Sequence, residues 1–137
     1  MNSSCPELCE ESVLVTRMTY AFLPQISGPY VHATKHRDTL YVSGLTAFGT
    51  DAQSAGLESQ TRAVLQQIAA ILAAEKRSTA DLIKLTIFVR DLSQLALIRA
   101  LLFDFYGGHL PACSLIEVSN LIHPDLLIEV ESVVALG

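Results

Sequence analysis

Cysteine and histidine have the widest chemical scope among side chains, and this sequence holds Cys5, Cys9 and Cys113 with His32, His36, His109 and His123. Their spacing limits what they can do. Cys5 and Cys9 are four apart, but no second Cys or His pair follows at zinc-ligand spacing. Two free thiols in a ragged polar tail, residues 1–12, are the expectation there. Three cysteines do not make a disulfide framework, so a reducing, cytoplasmic location is expected. His32 and His36 would share one face of a strand, and two imidazoles without a third ligand make a poor metal site. His123 reads as a solvated loop residue. No G-x-S-x-G elbow, P-loop or dinucleotide fingerprint is present.

Composition removes other classes. The chain has 137 residues, enough for one domain, expected over residues 13–137. Its net charge is −5 and Lys plus Arg number only 9. A phosphate backbone or an anionic bilayer needs a positive track, so nucleic acid and membrane are not expected partners. Glu7, Glu10 and Glu11 replace the basic start of a signal peptide. The most apolar stretch, 92–105, is too short and too charged to span a bilayer. Half of the residues are hydrophobic and 17% are charged. That balance suggests apolar surface buried against other copies of the chain.

The elements follow from periodicity. Residues 13–20 alternate and favour a strand, and Pro24, Gly28 and Pro29 enforce a loop. Residues 30–36 and 39–46 form a hairpin around Arg37 and Asp38. Gly44 inside its second strand signals a bulge or a close backbone approach. Over 57–75, Leu57, Thr61, Val64, Leu65, Ile68, Ile71 and Leu72 make one helical stripe, with Gln66 and Gln67 on the polar side. The run 82–89, LIKLTIFV, reads as a buried strand. Asp91 then caps a helix over 92–106, with Leu95, Ile98, Leu102 and Phe105 on one face and Leu97 and Leu101 toward another. Gly107 and Gly108 end it. Strands over 112–118 and 127–136 complete an α+β chain: a mixed sheet with two helices packed on one face. The bare face of so apolar a sheet again favours an oligomer.

Five segments, in order, resemble one family. They are Ile26–Tyr30 with its GPY, Leu40–Gly44 with its VSG, TIFVRDL over 86–92, GHLPACS over 108–114, and LIEVESVV over 127–134. Together they are similar to the Rid (RidA/YjgF) family from residue 26 to residue 136. The resemblance implies a chorismate-mutase-like fold and a homotrimer with pockets between subunits. It implies hydrolysis of reactive imines and enamines to 2-oxo acids and ammonia, without metal or organic cofactor.

The site follows from that resemblance residue by residue. Glu129 matches the carboxylate that positions or activates water, a role suited to a half-buried acid. Tyr30 and Ser43 match pocket residues that bond substrate or water. His32 follows the GPY element and is placed at the pocket's edge, and His109 fits a histidine common before the PAR-S segment. Ser114 belongs to that segment, and the backbone N–H of Leu115 is placed to bind a substrate oxygen. The departure is Cys113, which stands where the family has an arginine that grips the substrate carboxylate with a bidentate fork. A short thiol cannot do this. Three readings of Cys113 stand: a nucleophile, a small residue that makes room for another substrate, or a mark of lost catalysis. Cys113 is expected beside Glu129 at the pocket's centre. The alternatives to a Rid-type hydrolase are a Cys113-dependent hydrolase or lyase and a non-catalytic trimeric binder.

Overall fold

The computed structural model describes residues 14–137. The expected tail, with Cys5 and Cys9, and Val13 of the expected first strand lie outside the described residues. Six strands and two helices follow in the order β1 (Thr16–Met18), β2 (Ala33–His36), β3 (Thr39–Leu45), α1 (Leu57–Ala74), β4 (Leu82–Val89), α2 (Leu95–Tyr106), β5 (Ala112–Glu117) and β6 (Ile128–Ala135). One mixed sheet has the order β1-β2-β3-β6-β4-β5. Only β4 and β5 run parallel, because α2 carries the chain back between them.

Alternation sets the two faces of the sheet. Leu85, Ile87 and Val89 of β4 and Ile128, Val130 and Val134 of β6 are buried. They meet Val64, Ile68 and Ile71 of α1 and Ile98, Leu101 and Leu102 of α2 in one core. Full burial of each such side chain is worth about 1.5–3 kcal/mol. The other face carries Phe88, which pairs with Glu129, and Thr86, which pairs with Glu131. Among the described residues no helix covers it, and Tyr41 and Ile116 stand exposed there. The expected architecture, a mixed sheet with two helices on one side, is what is found.

Three local expectations change. The first strand shrinks to three residues, because β2 offers partners only from Thr16↔Lys35 to Met18↔Ala33. The second begins at Ala33 rather than Tyr30, since His32 is drawn inward to hold a loop. Asp91 caps a 3-10 turn, Leu92–Gln94, by accepting from Ser93 N–H at 2.9 Å, and the α-helix proper starts at Leu95. That helix buries Ile98, Leu101, Leu102 and Tyr106, so its inner face lies one position round from the expected stripe. Gly107, at φ 58°, ends it in the left-handed conformation.

One buried polar side chain ties the loops together. Gln60 is fully buried on α1. Its amide nitrogen lies 2.8 Å from Asp125 O and 3.0 Å from both Gln53 O and Ala55 O, and its oxygen accepts from Leu127 N–H at 2.9 Å. The chain entering β6 is thereby fastened to the start of α1.

Candidate active site

A cleft of ≈ 470 Å³ opens where the 23–30 loop, β3 and the start of β6 converge. Each strand contributes to it for a local reason. β3 gains one residue relative to β6 between Val42 and Leu45, a bulge at Ser43–Gly44. The bulge turns Ser43 into the cleft and leaves Gly44 facing the Glu129 carboxyl. A Cβ on Gly44 would stand 2.8 Å from Glu129 Cδ and nearer still to Oε2. Both expectations for Gly44, bulge and close approach, therefore hold. Gly28 has a parallel role: a Cβ there would lie 2.5 Å from Cε1 of Tyr30, whose half-exposed ring covers it and lines the cleft.

Glu129 is the chemical centre of this cleft. Burial pushes its carboxyl above the usual carboxylate range, and the negative charge of Glu131, two residues along the same face, adds to the rise. No hydrogen bond or ion pair to a described residue engages it. Such a group gives and takes protons near neutrality more readily than an exposed glutamate. Ser43 Oγ donates to Val31 O at 2.7 Å, so its proton is committed and its lone pairs are what it offers a ligand. Gln67, which sequence periodicity puts on the outer side of α1, reaches the cleft and donates from Nε2 to Thr46 O at 2.9 Å. No pattern in the sequence marks it.

His32 lines the cleft but has no nitrogen to spare. Its Nδ1 accepts from Tyr20 N–H at 2.9 Å, and Nε2 lies 3.0 Å from Pro24 O, which requires the proton on Nε2. The ring is buried and stacks on Tyr20. The expected substrate contact is corrected to that of a clamp on the 20–24 loop. Tyr20 extends the clamp: its hydroxyl donates to Glu75 at 2.8 Å, and Glu75 pairs with Lys35 at 2.8 Å. His32→Ala leaves two inner backbone groups unpaired and is expected to cost about 2 kcal/mol of stability, read as a fall in Tm.

The β5 residues lie elsewhere. Cys113 pairs with Leu85, which faces the helices, whereas Glu129 pairs with Phe88 on the bare face. Within one chain the thiol and the carboxylate are on opposite sides of the sheet, so a single subunit does not set them side by side. The physical reason is strand parity, since the pleat sends neighbouring residues to opposite faces. Cys113 lies beside α2, where burial pushes its thiol up and the nearby Lys84 charge only partly offsets this. The residue nonetheless keeps exposed surface. Ser114 does face the Glu129 side, paired with Thr86, but it is exposed and does not line the cleft. Leu115 turns its side chain toward the helices. Val118 N–H donates to Val89 O, so by alternation the Leu115 N–H points off the free edge of the sheet. His109 stays exposed in its loop. His123 packs against Phe48 with ring centroids 5.6 Å apart and the planes tilted by 52°, so it is not free in solvent.

Three comparisons bear on this arrangement. The family model described as Endoribonuclease L-PSP matches residues 22–136. A 2-iminobutanoate/2-iminopropanoate deaminase of Salmonella typhimurium is 31% identical over 115 residues, spanning 80% of this chain and 89% of that protein. A RutC family protein of Pyrococcus horikoshii is 33% identical over 113 residues, with 80% and 89% coverage. Among solved structures, a protein of the conserved Rid family from Yersinia pestis superposes with a TM-score of 0.81 at 28% identity, covering 89% of this chain and 99% of that one.

Proposed function

Because the chain belongs to the Endoribonuclease L-PSP family, the family of the Rid (RidA/YjgF) proteins, we propose that it is a small-molecule hydrolase or deaminase acting at an activated C=N or C=O carbon of an imine, enamine or related metabolite, with Glu129 as the proton carrier. The observation that carries this reading is the raised, unpaired carboxyl of Glu129 against Gly44, in a cleft shared with Tyr30 and Ser43. The likeness to a 2-iminobutanoate/2-iminopropanoate deaminase supports it.

The chemistry balances with one water. Water attacks the electrophilic carbon of the protonated C=N and passes a proton to Glu129 as the C–O bond forms. Glu129 returns that proton to nitrogen and then takes up the hydroxyl proton as the C–N bond breaks and the C=O forms, so that ammonia and a carbonyl product leave. Tyr30 and Ser43 orient the water and the substrate. A net charge of −5 speaks against an RNA backbone as the substrate.

Cys113 sets this chain apart from carboxylate-gripping relatives. The substrate of this branch accordingly differs from a simple 2-imino acid. The working form is a cytoplasmic homotrimer. A neighbour's β5 edge, with Cys113, Ser114 and the outward Leu115 N–H, would complete each cleft, the one arrangement that brings a thiol near Glu129. A raised thiol pKa weighs against a covalent role.

The test is ammonia release from freshly generated 2-aminoacrylate and from imines lacking a carboxylate. Acceleration above buffer is expected, greater for the carboxylate-free imines. No acceleration of any of them overturns the reading and favours a binder, which a ligand would stabilise without turnover. Cys113→Ser is expected to keep turnover within about twofold. Its abolition would favour the thiol-dependent hydrolase or lyase instead.

A further inference from the structure

The cleft around Glu129 is one-sided in charge. Among the described residues its walls carry two carboxylates, Glu129 and Glu131, and no lysine or arginine. The two acids are two places apart on β6 and share a face of the sheet, about 6.5–7 Å apart along the strand. They are close enough for the charge of Glu131 to bear on the Glu129 carboxyl. Glu131 is itself exposed and forms no ion pair with a described residue.

The neutral groups of the inner wall do not redress this balance. His32 has both ring nitrogens engaged by backbone groups, so it offers a ligand no N–H. Ser43 commits its proton to Val31 O. What the inner wall presents is therefore oxygen lone pairs and negative charge. Nearer the mouth, Tyr30 and Phe48 leave 52% and 44% of their surfaces accessible. An aromatic face attracts a cation. An anionic group entering this cleft would lose hydration beside like charge, whereas a cationic group would find carboxylates and ring faces together.

The β5 segment that a neighbour would bring to the cleft, Cys113–Leu115, holds no lysine or arginine of its own. Lys84 lies close enough to Cys113 to bear on its thiol. A neighbour's Lys84 reaching the cleft would favour an anion instead, an outcome that the test below reads directly.

We propose that this cleft takes a cationic substrate, an imine whose carbon meets Glu129 while a second, non-reacting ammonium group about 6.5–7 Å away pairs with Glu131. The inference rests on the hydrolase reading of the same cleft and names its substrate class. The bonds made and broken are those already given. The ammonium group takes no part in them and serves to hold the C=N beside Glu129.

Three freshly generated benzaldimines test this on the full chain. At the para position they carry a trimethylammoniomethyl, a neopentyl or a carboxymethyl group. The first two have the same shape and differ in charge, and the methylene insulates the reacting carbon in all three. The corresponding benzyl alcohols, which cannot react, report binding alone by calorimetry. At low ionic strength the cationic member is expected to exceed the neopentyl member by about tenfold, in alcohol affinity and in kcat/KM alike. The carboxymethyl member should be the weakest. Glu131→Gln, isosteric and at an exposed position, should cut the cationic preference by about threefold. Equal binding of the neopentyl alcohol, stronger binding of the carboxymethyl alcohol, or no binding of any overturns the proposal. A preference unchanged in Glu131→Gln overturns it as well. Failure of the parent reading looks different: the cationic alcohol binds preferentially, yet no imine is turned over. Turnover without a charge preference keeps the hydrolase and removes this inference.

Discussion

Glu129→Gln is expected to lower imine hydrolysis by about 10²–10⁴-fold, the usual worth of a positioned proton carrier. The amide keeps the size and the place over Gly44, so the fold and the cleft should persist. Its stability signature is distinctive. Burial and Glu131 raise the folded carboxyl above its free value of 4.5. A raised acid favours the folded state where it is protonated: the benefit is complete below the unfolded pKa and fades as pH climbs through the folded one. The wild type should therefore lose stability relative to Glu129→Gln on passing from acid to neutral pH, and the variant should melt higher at pH 7. Turnover measured beside Tm at pH 4 and pH 7 checks both halves. A variant that is inactive but not stabilised at pH 7 would mean that the carboxyl is not buried as described. A variant that stays active would remove Glu129 from the chemistry.

The second large effect is expected from Gly44→Ala. The added methyl cannot coexist with the Glu129 carboxyl, whose Cδ would be 2.8 Å away. Because Val42 and Leu45 on either side of the bulge are held by pairing with β6, the side chain must yield. Displacing a proton carrier by about 1 Å is enough to cost on the order of 10² in rate. Overpacking adds about 1–3 kcal/mol of destabilisation. Pairing the two changes separates the causes. In Glu129→Gln the rate loss from Gly44→Ala should largely vanish, because the group it displaces no longer works. Additive losses would show that Gly44 acts on something other than Glu129.

These effects rest on features that the sequence disclosed unevenly. α1 and β4 are legible almost to the residue, because a β-prone, mostly apolar run of eight residues and a long amphipathic stripe admit few alternatives. Gly44 is legible because a glycine inside a strand requires a steric reason. The inner face of α2 is not, since Leu95, Leu97, Leu101 and Phe105 are all apolar and only packing on the sheet sets the helix's rotation. The faces of β5 escape for a similar reason. Whether Cys113 or Ser114 lies beside the helices depends on which residue meets Leu85, and that is fixed by how the 107–111 turn delivers the chain. His32 looks like a pocket residue from its neighbours in sequence. Its role is decided by Tyr20 and Pro24, contacts that no local pattern records. Tyr30, Ser43 and Glu129 converge as the family resemblance implies. Cys113 and Leu115 do not join them within one chain.

The outer border of β5 has a consequence for the life of a newly made chain. No described strand pairs with its outward amides and carbonyls, and Ile116 is exposed on the flank. A bare seam of this kind recruits whatever strand arrives first. In a crowded, freshly translated pool, folding competes with indiscriminate stacking along this seam. Dilution or slow synthesis should therefore raise the yield of correctly folded material and leave the stability of what has already formed unchanged.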